Sequence, residues 1–441
     1  MFGYKMIQTV RSNGAKLDRP LKDEILQLYE PFKSMPCFLH NLTEKYISKW
    51  KQMSVIIEFG QDHYQTGYDE VCRLINGKRR CGVRKEFSIV SCCSADVTPG
   101  IMAEMLETCN HIKKVYLNRK VTALLDTAVT AANARRINRN DKELTGKGTT
   151  VAVVDTGIYP HTDLAGRIIG FVDFIGEKSD PCDDNGHGTH CAGCVAGNGS
   201  ASLGQYKGPA PEANLIGVKV LDKAGSGTLE TVMQGIQWCI DYNKEEGNFI
   251  DIISMSLGSA AQRHESEKDD PMVKMVDKAW DSGIVVVAAA GNEGPEEQTI
   301  ASPGISGTII TVGALDDQET ELRDDDEAAD FSSRGPTIYG KSKPDILAPG
   351  VNITSLRSPN SFIDKTQKAN REGEDYFILS GTSMAAPICA GVIALLLEYD
   401  PQLTPNRIKN ALKEGTDLWI DRDPNIYGAG YINAKNTISS I

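Results

Sequence analysis

Five near-continuous apolar runs constrain the fold more than any other feature of this sequence. They are TTVAVVD (149–155), ANLIGVKVL (213–221), DIISMSL (251–257), IVVVAAA (284–290) and TIITVGA (308–314). Apolar runs without alternation are typical of strands that are buried on both faces of a parallel sheet. We therefore expect a central, mostly parallel sheet in this part of the chain.

Helical stretches lie between these runs, at 187–197, 228–243 and 268–282. Strands that alternate with helices predict a doubly wound α/β domain, here covering 145–441. A further helix is predicted at 383–399, and because it is apolar on nearly every side we expect it to be central. Three polar segments interrupt the pattern and are predicted to be surface insertions, namely 259–271, 316–330 and 357–375.

The chain before residue 145 has a different pattern. We predict a helical extension at 1–52, a small α+β domain at 53–121 and a linker at 122–144. Within the small domain, strands are predicted at 54–59, 87–97 and 112–121, with a helix at 98–109. Thr98 is the expected cap of that helix, and Pro99 suits its first position.

The composition restricts the partners and the compartment. The chain has 47 Lys+Arg and 59 Asp+Glu, and 47 − 59 gives a net charge of −12, which argues against general nucleic-acid or anionic-membrane binding. No apolar segment predicts a signal peptide or a membrane span. Without an export signal, the 11 cysteines are expected to be free thiols in a reducing, cytoplasmic compartment.

A carboxylate directly follows the first apolar run. Asp155 ends the predicted strand and precedes Thr156 and Gly157. The carboxyl ends of strands in open α/β sheets are where ligands and catalytic groups gather, and a carboxylate there can orient an imidazole. Taken alone, Asp155 could equally be an ordinary turn residue beside glycine.

A histidine opens the next predicted helix. His187 lies in the segment NGHGTHCAG, where Gly186 and Gly188 leave room for a substrate beside a general base. His190 follows three residues later, and we interpret it as a packed helical histidine. Cys191 is four residues from His187, so we expect it one helical turn beneath that ring.

A serine and an asparagine occupy two further chain positions suited to catalysis. Ser383 lies in SGTSMAAP at the start of the apolar helix, where free N–H groups and the positive dipole end favour a developing oxyanion. Asn292 follows a buried strand in AAAGNEGP and could supply a second oxyanion donor. The ordinary alternatives are a helix N-cap for Ser383 and a turn residue for Asn292.

Four segments together resemble one known family. VVDTGI, HGTHCAG and SGTSMAAP resemble the three signature segments of the subtilases, AAAGNEGP resembles their oxyanion segment, and the order Asp, His, Ser matches. The resemblance covers about 145–438, and the whole chain is similar to intracellular bacterial members. It implies a serine endopeptidase working through an acyl-enzyme, with Asp155 as orienting acid, His187 as base, Ser383 as nucleophile and Asn292 in the oxyanion hole.

The resemblance also implies where a polypeptide substrate binds. Gly225, Ser226 and Gly227, with Ser256, Leu257 and Gly258, resemble the two segments that pair with the substrate as an extended strand. The segment of Ala289, Ala290 and Gly291 resembles the wall of the primary specificity pocket. Because these residues are small, we expect a preference for large apolar side chains before the cleaved bond.

Two further implications concern regulation and metal. Residues 53–121 resemble the family's propeptide, which implies that the N-terminal region is an intramolecular inhibitor, with self-cleavage expected between about 116 and 126. Asp163 matches a calcium ligand of the family, although the loop at 198–204 differs in length and lacks a clear second carboxylate. No cofactor is expected for the chemistry, and Cys191 with Cys194 is not expected to form a metal or redox pair.

Two other classes of function remain to be weighed. A peptide-binding pseudoprotease would need a lost triad member, and all three residues are present. A serine hydrolase acting on esters is the second alternative, but the elbow G-x-S-x-G is absent because Ala385 stands at the second glycine position. Cleavage of a protein in preference to a lipid ester would discriminate between them.

Overall fold

The computed structural model divides the chain into two units, Met1–Thr122 and Ala123–Ile441. It describes residues 8, 12–17, 19–29, 32, 37–87, 91–117, 125–135, 137–139, 142–247, 249–318, 320, 323, 325–417 and 422–441. The expected self-cleavage segment therefore lies largely outside the described residues.

The first unit is built on a four-stranded antiparallel sheet. Its strands are Met53–Phe59 (β1), Gly82–Phe87 (β2), Cys92–Val97 (β3) and Ile112–Leu117 (β4), in the order β2-β3-β1-β4. Its helices are Arg19–Tyr29 (α1), Cys37–Trp50 (α2), Tyr64–Ile75 (α3) and Pro99–Thr108 (α4). Every second residue of β1 is buried, as its sequence pattern requires for a strand with one face on a core.

The predicted elements of this unit are confirmed in part. The strand expected at 87–97 is instead two strands, because β2 ends at Phe87 and β3 begins at Cys92, after Ser91 with a left-handed φ of 52°. The helix expected at 98–109 is present, and Thr98 precedes it without a side-chain capping bond. The strand expected at 112–121 ends at Leu117, and 118–121 lies outside the described residues.

The predicted boundary at residue 52 does not separate two cores. Leu21 and Ile25 of α1 are fully buried in the same hydrophobic cluster as Val55 and Ile57 of β1. Burial of such a side chain stabilises a fold by about 1.5–3 kcal/mol, so α1 is an integral part of this unit. The sequence pattern does not show this packing, because it depends on contacts between segments that are distant along the chain.

The second unit is built on a mostly parallel sheet. The strands are Asn138–Arg139 (β5), Lys142–Glu143 (β6), Thr150–Asp155 (β7), Ile168–Asp173 (β8), Asn214–Lys219 (β9), Ile252–Met255 (β10), Val285–Ala289 (β11), Ile310–Asp316 (β12), Glu327–Ala328 (β13), Ile346–Pro349 (β14), Ile353–Leu356 (β15), Arg371–Glu372 (β16) and Tyr376–Leu379 (β17). The main sheet has the order β13-β12-β11-β10-β7-β9-β8, with β14 also paired to β12, and only β13 is antiparallel. This confirms the doubly wound prediction.

Helices cover this sheet, and the strands outside it form the small sheets β15-β17-β16 and β5-β6. The helices are Leu125–Ala131 (α5), His187–Ala196 (α6), Leu229–Tyr242 (α7), Pro271–Asp281 (α8), Phe362–Thr366 (α9), Thr382–Tyr399 (α10), Pro405–Glu414 (α11), Pro424–Tyr427 (α12) and Ala434–Ser439 (α13). The five predicted strands and four predicted helices of the α/β domain are confirmed, with ends that differ by a few residues. All residues of β7 and β11 are buried, as expected for central parallel strands.

The long apolar helix α10 is central, as predicted. In the part of the chain that the structure describes, it has the length and hydropathy that a membrane span would need. However, 83% of it is buried inside the protein. Its apolar surface is therefore explained by packing in the core of the second unit.

Two regions differ from the sequence prediction in this unit. Residues 122–144 were expected to be a linker, but Ala128 and Val129 of α5 are buried in the main core. The insertion at 357–375 was expected to be a surface segment, but its Asp364 is only 1% exposed. The Asp364 carboxylate forms ion pairs with both Arg357 and Arg371, each at 2.6 Å. Both segments are thus integral parts of the fold.

Candidate active site

The carboxyl end of β7 carries the first part of the site. Asp155 is fully buried, and its Oδ1 lies 2.8 Å from Nδ1 of His187, the first residue of α6. The backbone N–H of Thr156 donates to the same oxygen at 2.7 Å. Because Nδ1 faces the carboxylate, the ring's other nitrogen is available as a base, and the His187 side chain remains 24% exposed.

The loop before His187 is held by a buried carboxylate that the sequence did not reveal. Asp183 accepts hydrogen bonds from the backbone N–H groups of Asn185, Gly186 and Thr189, at 2.8–3.1 Å. The hydroxyls of Thr189 and Thr156 also donate to it, at 2.6 and 2.9 Å. Asp183 thereby fastens the start of α6 to the end of β7, where Asp155 lies.

Two glycines permit the strand end and the helix start to approach each other. A Cβ on Gly157, where φ is +114°, would lie 2.1 Å from the carbonyl oxygen of Cys182. A Cβ on Gly188 would lie 2.2 Å from the carbonyl oxygen of Gly157. Any side chain at either position would push α6 away from β7 and lengthen the contact between His187 and Asp155.

The electrostatic environment raises the pKa of His187. Burial lowers that pKa, but the negative charge of Asp155 and its hydrogen bond act in the opposite direction and outweigh burial. The net pKa therefore lies well above the ordinary value for histidine. An imidazole of high proton affinity, oriented by a carboxylate, is suited to remove a proton from a hydroxyl.

Ser383 is the second residue of α10 and lies in the same cleft as His187. Its N–H is one of the helix's first donors, which have no acceptor within the helix. Its Oγ donates to the carbonyl oxygen of Ser256 at 3.3 Å, and among the described residues no hydrogen bond joins it to His187. Hydrogen bonds between catalytic groups are often absent or long without substrate and form only in the substrate complex.

The side chain of Asn292 is oriented by α10. Its Oδ1 accepts hydrogen bonds from the backbone N–H and the hydroxyl of Thr382, at 2.9 and 3.0 Å. With the amide oxygen engaged in this way, the NH₂ group of Asn292 remains to donate to another acceptor. Asn292 and Ser383 both line the cleft, so two hydrogen-bond donors are available there for an oxyanion.

Two neighbouring residues of α6 have structural contacts. Cys191 is fully buried, with its Sγ 3.8 Å from Nδ1 of His187 and 3.3 Å from the carbonyl oxygen of Ser383. This confirms its expected place beneath the ring. His190 is also buried, its Nε2 contacts the carbonyl oxygens of Ile353 and Phe377, and burial lowers its pKa to about 3, so it is a neutral packing residue as predicted.

The cleft around these residues has a volume of about 1160 Å³. Of the predicted substrate-binding residues, the structure places eight on its lining: Gly225, Ser226, Gly227, Ser256, Leu257, Gly258, Ala289 and Gly291. Ala290 differs, because its side chain is buried in a separate cluster with Val273, Ile300 and Ile305. The insertion at 357–375 contributes Ile363 and Gln367 to the cleft, which the sequence did not predict.

The surroundings of Asp163 do not fit a calcium ion. Its Oδ1 accepts hydrogen bonds from the Ser200 hydroxyl and the Ala201 backbone N–H, and its Oδ2 accepts one from the Tyr376 hydroxyl, at 2.8–3.0 Å. A calcium ion needs six to eight oxygen acceptors around it, whereas these groups act as donors toward the carboxylate. Both oxygens of Asp163 are satisfied by the protein itself.

The sequence signals of the site differ in strength. Asp155, His187, Asn292 and Ser383 were found because each lies in a short local motif at a strand end or helix start. Asp183 and Thr382 were missed, because their role depends on side-chain contacts that have no periodic signature. The local hints in the sequence are the small residues beside Asp183 and Thr382 and, for Asp183, its position four residues before His187.

Comparison with known proteins agrees with this geometry. The model of the Subtilase family matches residues 146–430. Serine protease AprX of Bacillus subtilis (strain 168) is 59% identical over 439 residues, which cover 99% of each chain. The thermostable alkaline protease of Halalkalibacterium halodurans is 34% identical over 349 residues, which cover 79% of this chain and 83% of that protein.

A solved structure extends the comparison to the fold. A cold adapted subtilisin-like serine proteinase is similar with a TM-score of 0.52 and 29% identity, over 70% of this chain and 98% of that one. The family match covers more than half of the chain, and a near full-length relative is a serine protease. The chain therefore belongs to the subtilase family and is a subtilisin-like serine endopeptidase.

Proposed function

We propose that this endopeptidase cleaves peptide bonds with Asp155, His187 and Ser383 as its catalytic triad. The observation that carries the proposal is the 2.8 Å contact between Asp155 Oδ1 and His187 Nδ1, at the wall of the cleft that contains Ser383. This contact fixes the tautomer in which Nδ1 carries the proton and Nε2 is the base.

The proposed reaction follows from these positions. Ser383 Oγ attacks the scissile carbonyl while His187 Nε2 takes its proton, and Asp155 stabilises the imidazolium that forms. The N–H of Ser383 and the amide of Asn292 donate to the oxyanion. His187 then protonates the leaving amine, and water hydrolyses the acyl-enzyme by the same steps in reverse.

We also propose that the substrate binds as an extended strand, with a large apolar residue before the cleaved bond. The exposed segment Gly225–Gly227 borders the cleft, and so does Ser256–Gly258, which runs from a buried serine to an exposed glycine. Both positions suit backbone pairing with a polypeptide. Ala289 and Gly291 line the cleft with almost no side-chain volume, which leaves space for the substrate's own side chain. Acidic or very small residues would gain little there.

The first unit is the proposed intramolecular inhibitor of the enzyme. It has its own hydrophobic core and an α+β arrangement like that of the family's propeptides. The proposed cytoplasmic location would require such control, because the enzyme's substrates would surround it from the time of synthesis. This proposal predicts self-processing after the unit's last strand.

Three variants with a matched control test the triad. Ser383→Ala, His187→Ala and Asp155→Asn should each lower kcat on a peptide substrate by several orders of magnitude. Ser380→Ala is the control, because Ser380 lies three residues before Ser383 and its hydroxyl accepts the N–H of Asn352 rather than a bond from a proposed catalytic residue in the described part of the chain. Thermal unfolding of each variant checks that the fold is kept, and near-normal activity in Ser383→Ala would refute the mechanism.

A further inference from the structure

A group of metal-ligating side chains lies directly beneath the ring of His187. It consists of the Asp155 carboxylate, a ring nitrogen of His187 and the Cys191 thiol, whose ligand atoms all lie within 4.8 Å of one another. Within the described residues, no other three His, Cys, Asp or Glu side chains meet in this way. The hydrolytic mechanism has no use for the thiol.

One of the two measured distances in this group matches the ligand spacing of a zinc site, and the other is shorter. His187 Nδ1 lies 2.8 Å from Asp155 Oδ1 and 3.8 Å from Cys191 Sγ. Zinc bonds to such ligands measure about 2.0–2.3 Å, so ligand atoms at tetrahedral corners are about 3.3–3.8 Å apart. The sulfur and nitrogen are already at this spacing, and the oxygen and nitrogen must separate by about half an ångström.

A second observation also indicates a cation. Asp155 Oδ2 is buried and accepts no hydrogen bond from the described residues. A buried carboxylate oxygen without a donor is unfavourable, and a metal ion is one of the groups that can satisfy it. His187 and Cys191 are four residues apart on α6, which puts both ligands on the same helix face.

We propose that Asp155, His187 and Cys191 form an inhibitory site for a borderline-soft divalent cation, for which Zn²⁺ is the probe. The inference rests on the proposed triad. A thiolate, an imidazole and a carboxylate suit Zn²⁺, whereas Ca²⁺ and Mg²⁺ prefer oxygen ligands alone. Cys194 is not part of the site, because its Sγ lies 3.7 Å from Nδ1 of His190 instead.

The movement of protons on cation binding explains why the bound cation would stop catalysis. In the hydrolytic state Nδ1–H donates to Asp155, and Nε2 has the free electron pair. When Nδ1 binds the cation, its proton moves to Nε2, and the Cys191 thiol releases its proton to solvent. His187 then has no free pair to accept the proton of Ser383, and a wrong tautomer of this kind lowers kcat by about 10⁴. No covalent bond to carbon forms, so a chelator restores activity.

Zinc titration of three proteins tests the site. Activity on a peptide substrate is measured against free Zn²⁺ for wild type, Cys191→Ala and Cys194→Ala. Wild type and Cys194→Ala should lose activity over the same zinc range, recover on chelation, and ignore Mg²⁺ and Ca²⁺. Cys191→Ala should need at least about 10–100-fold more zinc for the same inhibition. Loss of a hydrogen-bond partner of a metal ligand already weakens metal binding by about this factor, and Cys191 is itself a proposed ligand. Equal zinc sensitivity of Cys191→Ala and wild type would overturn the inference.

Cobalt spectroscopy gives a readout that does not depend on activity. In a Ser383→Ala protein, bound Co²⁺ should give a thiolate charge-transfer band, which Cys191→Ala abolishes and Cys194→Ala preserves. Absence of that band in Ser383→Ala would overturn the metal site. Residual protease activity of Ser383→Ala would instead count against the catalytic triad. Failure of the metal site and failure of the triad are therefore distinguishable, even if Cys191→Ala proves inactive.

Discussion

Thr382 donates two hydrogen bonds to the side-chain oxygen of Asn292, one from its backbone N–H at 2.9 Å and one from its hydroxyl at 3.0 Å. The residue that precedes the proposed nucleophile thus fixes the orientation of the proposed oxyanion donor. Because both bonds go to the oxygen, the NH₂ group is the part of Asn292 that remains for the substrate. The proposed nucleophile and the proposed oxyanion donor are therefore connected through Thr382 at the start of α10.

Replacing Asn292 by Ala should lower kcat by about 10²–10³, the range known from subtilisins for loss of this donor, with KM nearly unchanged. Thr382→Val removes the hydroxyl's bond to Asn292 and the bond that the hydroxyl accepts from the N–H of Gly291. It should give a smaller loss of kcat than Asn292→Ala, because the backbone bond still orients the amide. Steady-state kinetics of both variants provide the measurement. A rise in KM at constant kcat in Asn292→Ala would instead make Asn292 a ground-state binding residue.

The acid limb of the pH profile should lie above about pH 6.5, the ordinary histidine pKa. In the proposed mechanism the base form of His187 is the active one. Its pKa is raised well above that value mainly by the charge of Asp155, against the effect of burial. Asp155→Asn removes the charge, so the limb should move to lower pH while kcat falls by about 10⁴. Measurement of kcat/KM from acid to alkaline pH tests this prediction. If the acid limb of Asp155→Asn stays at the wild-type pH, the charge of Asp155 is not the cause of the raised pKa of His187.

The specificity pocket should be sensitive to side-chain volume at Ala289. Wild type should cleave peptides with Leu or Phe before the cut bond faster than those with Gly or Asp. Ala289→Leu should reduce kcat/KM for Phe about 10–200-fold more than for Ala, because the added carbons occupy the same space. The ratio of kcat/KM for the Phe peptide to that for the Ala peptide is measured within each protein, so a general loss of activity in the variant cancels. A flat profile in wild type would show that this segment does not select the residue.

The first unit should inhibit the enzyme and be removed from it. Mass spectrometry of purified wild type should find cleavage between about 116 and 126, a segment mostly outside the described residues, and Ser383→Ala should remain intact. Because residues 1–122 form a unit with its own core, they can be added in trans and should inhibit the processed enzyme. Wild type that stays at 48.0 kDa during active turnover would rule out obligatory processing.

The sequence was sufficient for the parts of the fold that have a strong local pattern. The central strands β7 and β11 and the helix α10 are largely apolar, and each was predicted with nearly correct ends. The edge strand β8 was missed, because it is only partly buried and therefore lacks a continuous apolar run. The packing of α1 against β1 was missed for a related reason, since contacts between distant segments leave no periodic trace.

The same division applies to the site. Asp155, His187 and Ser383 are each surrounded by small residues in short motifs, which made them recognisable one by one. Asp183 accepts hydrogen bonds from five donors, four of them in residues 185–189 and one in Thr156 at the end of β7, and no sequence motif indicates this role. The hydroxyl direction of Ser383, toward Ser256, depends on a single rotatable bond and could not be read from any motif.

The most direct test of the account is the location of the nucleophile. A fluorophosphonate should label wild type on one serine, and mass spectrometry of the digested protein should find the adduct on the peptide that contains Ser383. His187→Ala should label far more slowly, because Ser383 would lack its base. An adduct on another residue, or unchanged labelling of His187→Ala, would contradict the proposal that His187 activates Ser383.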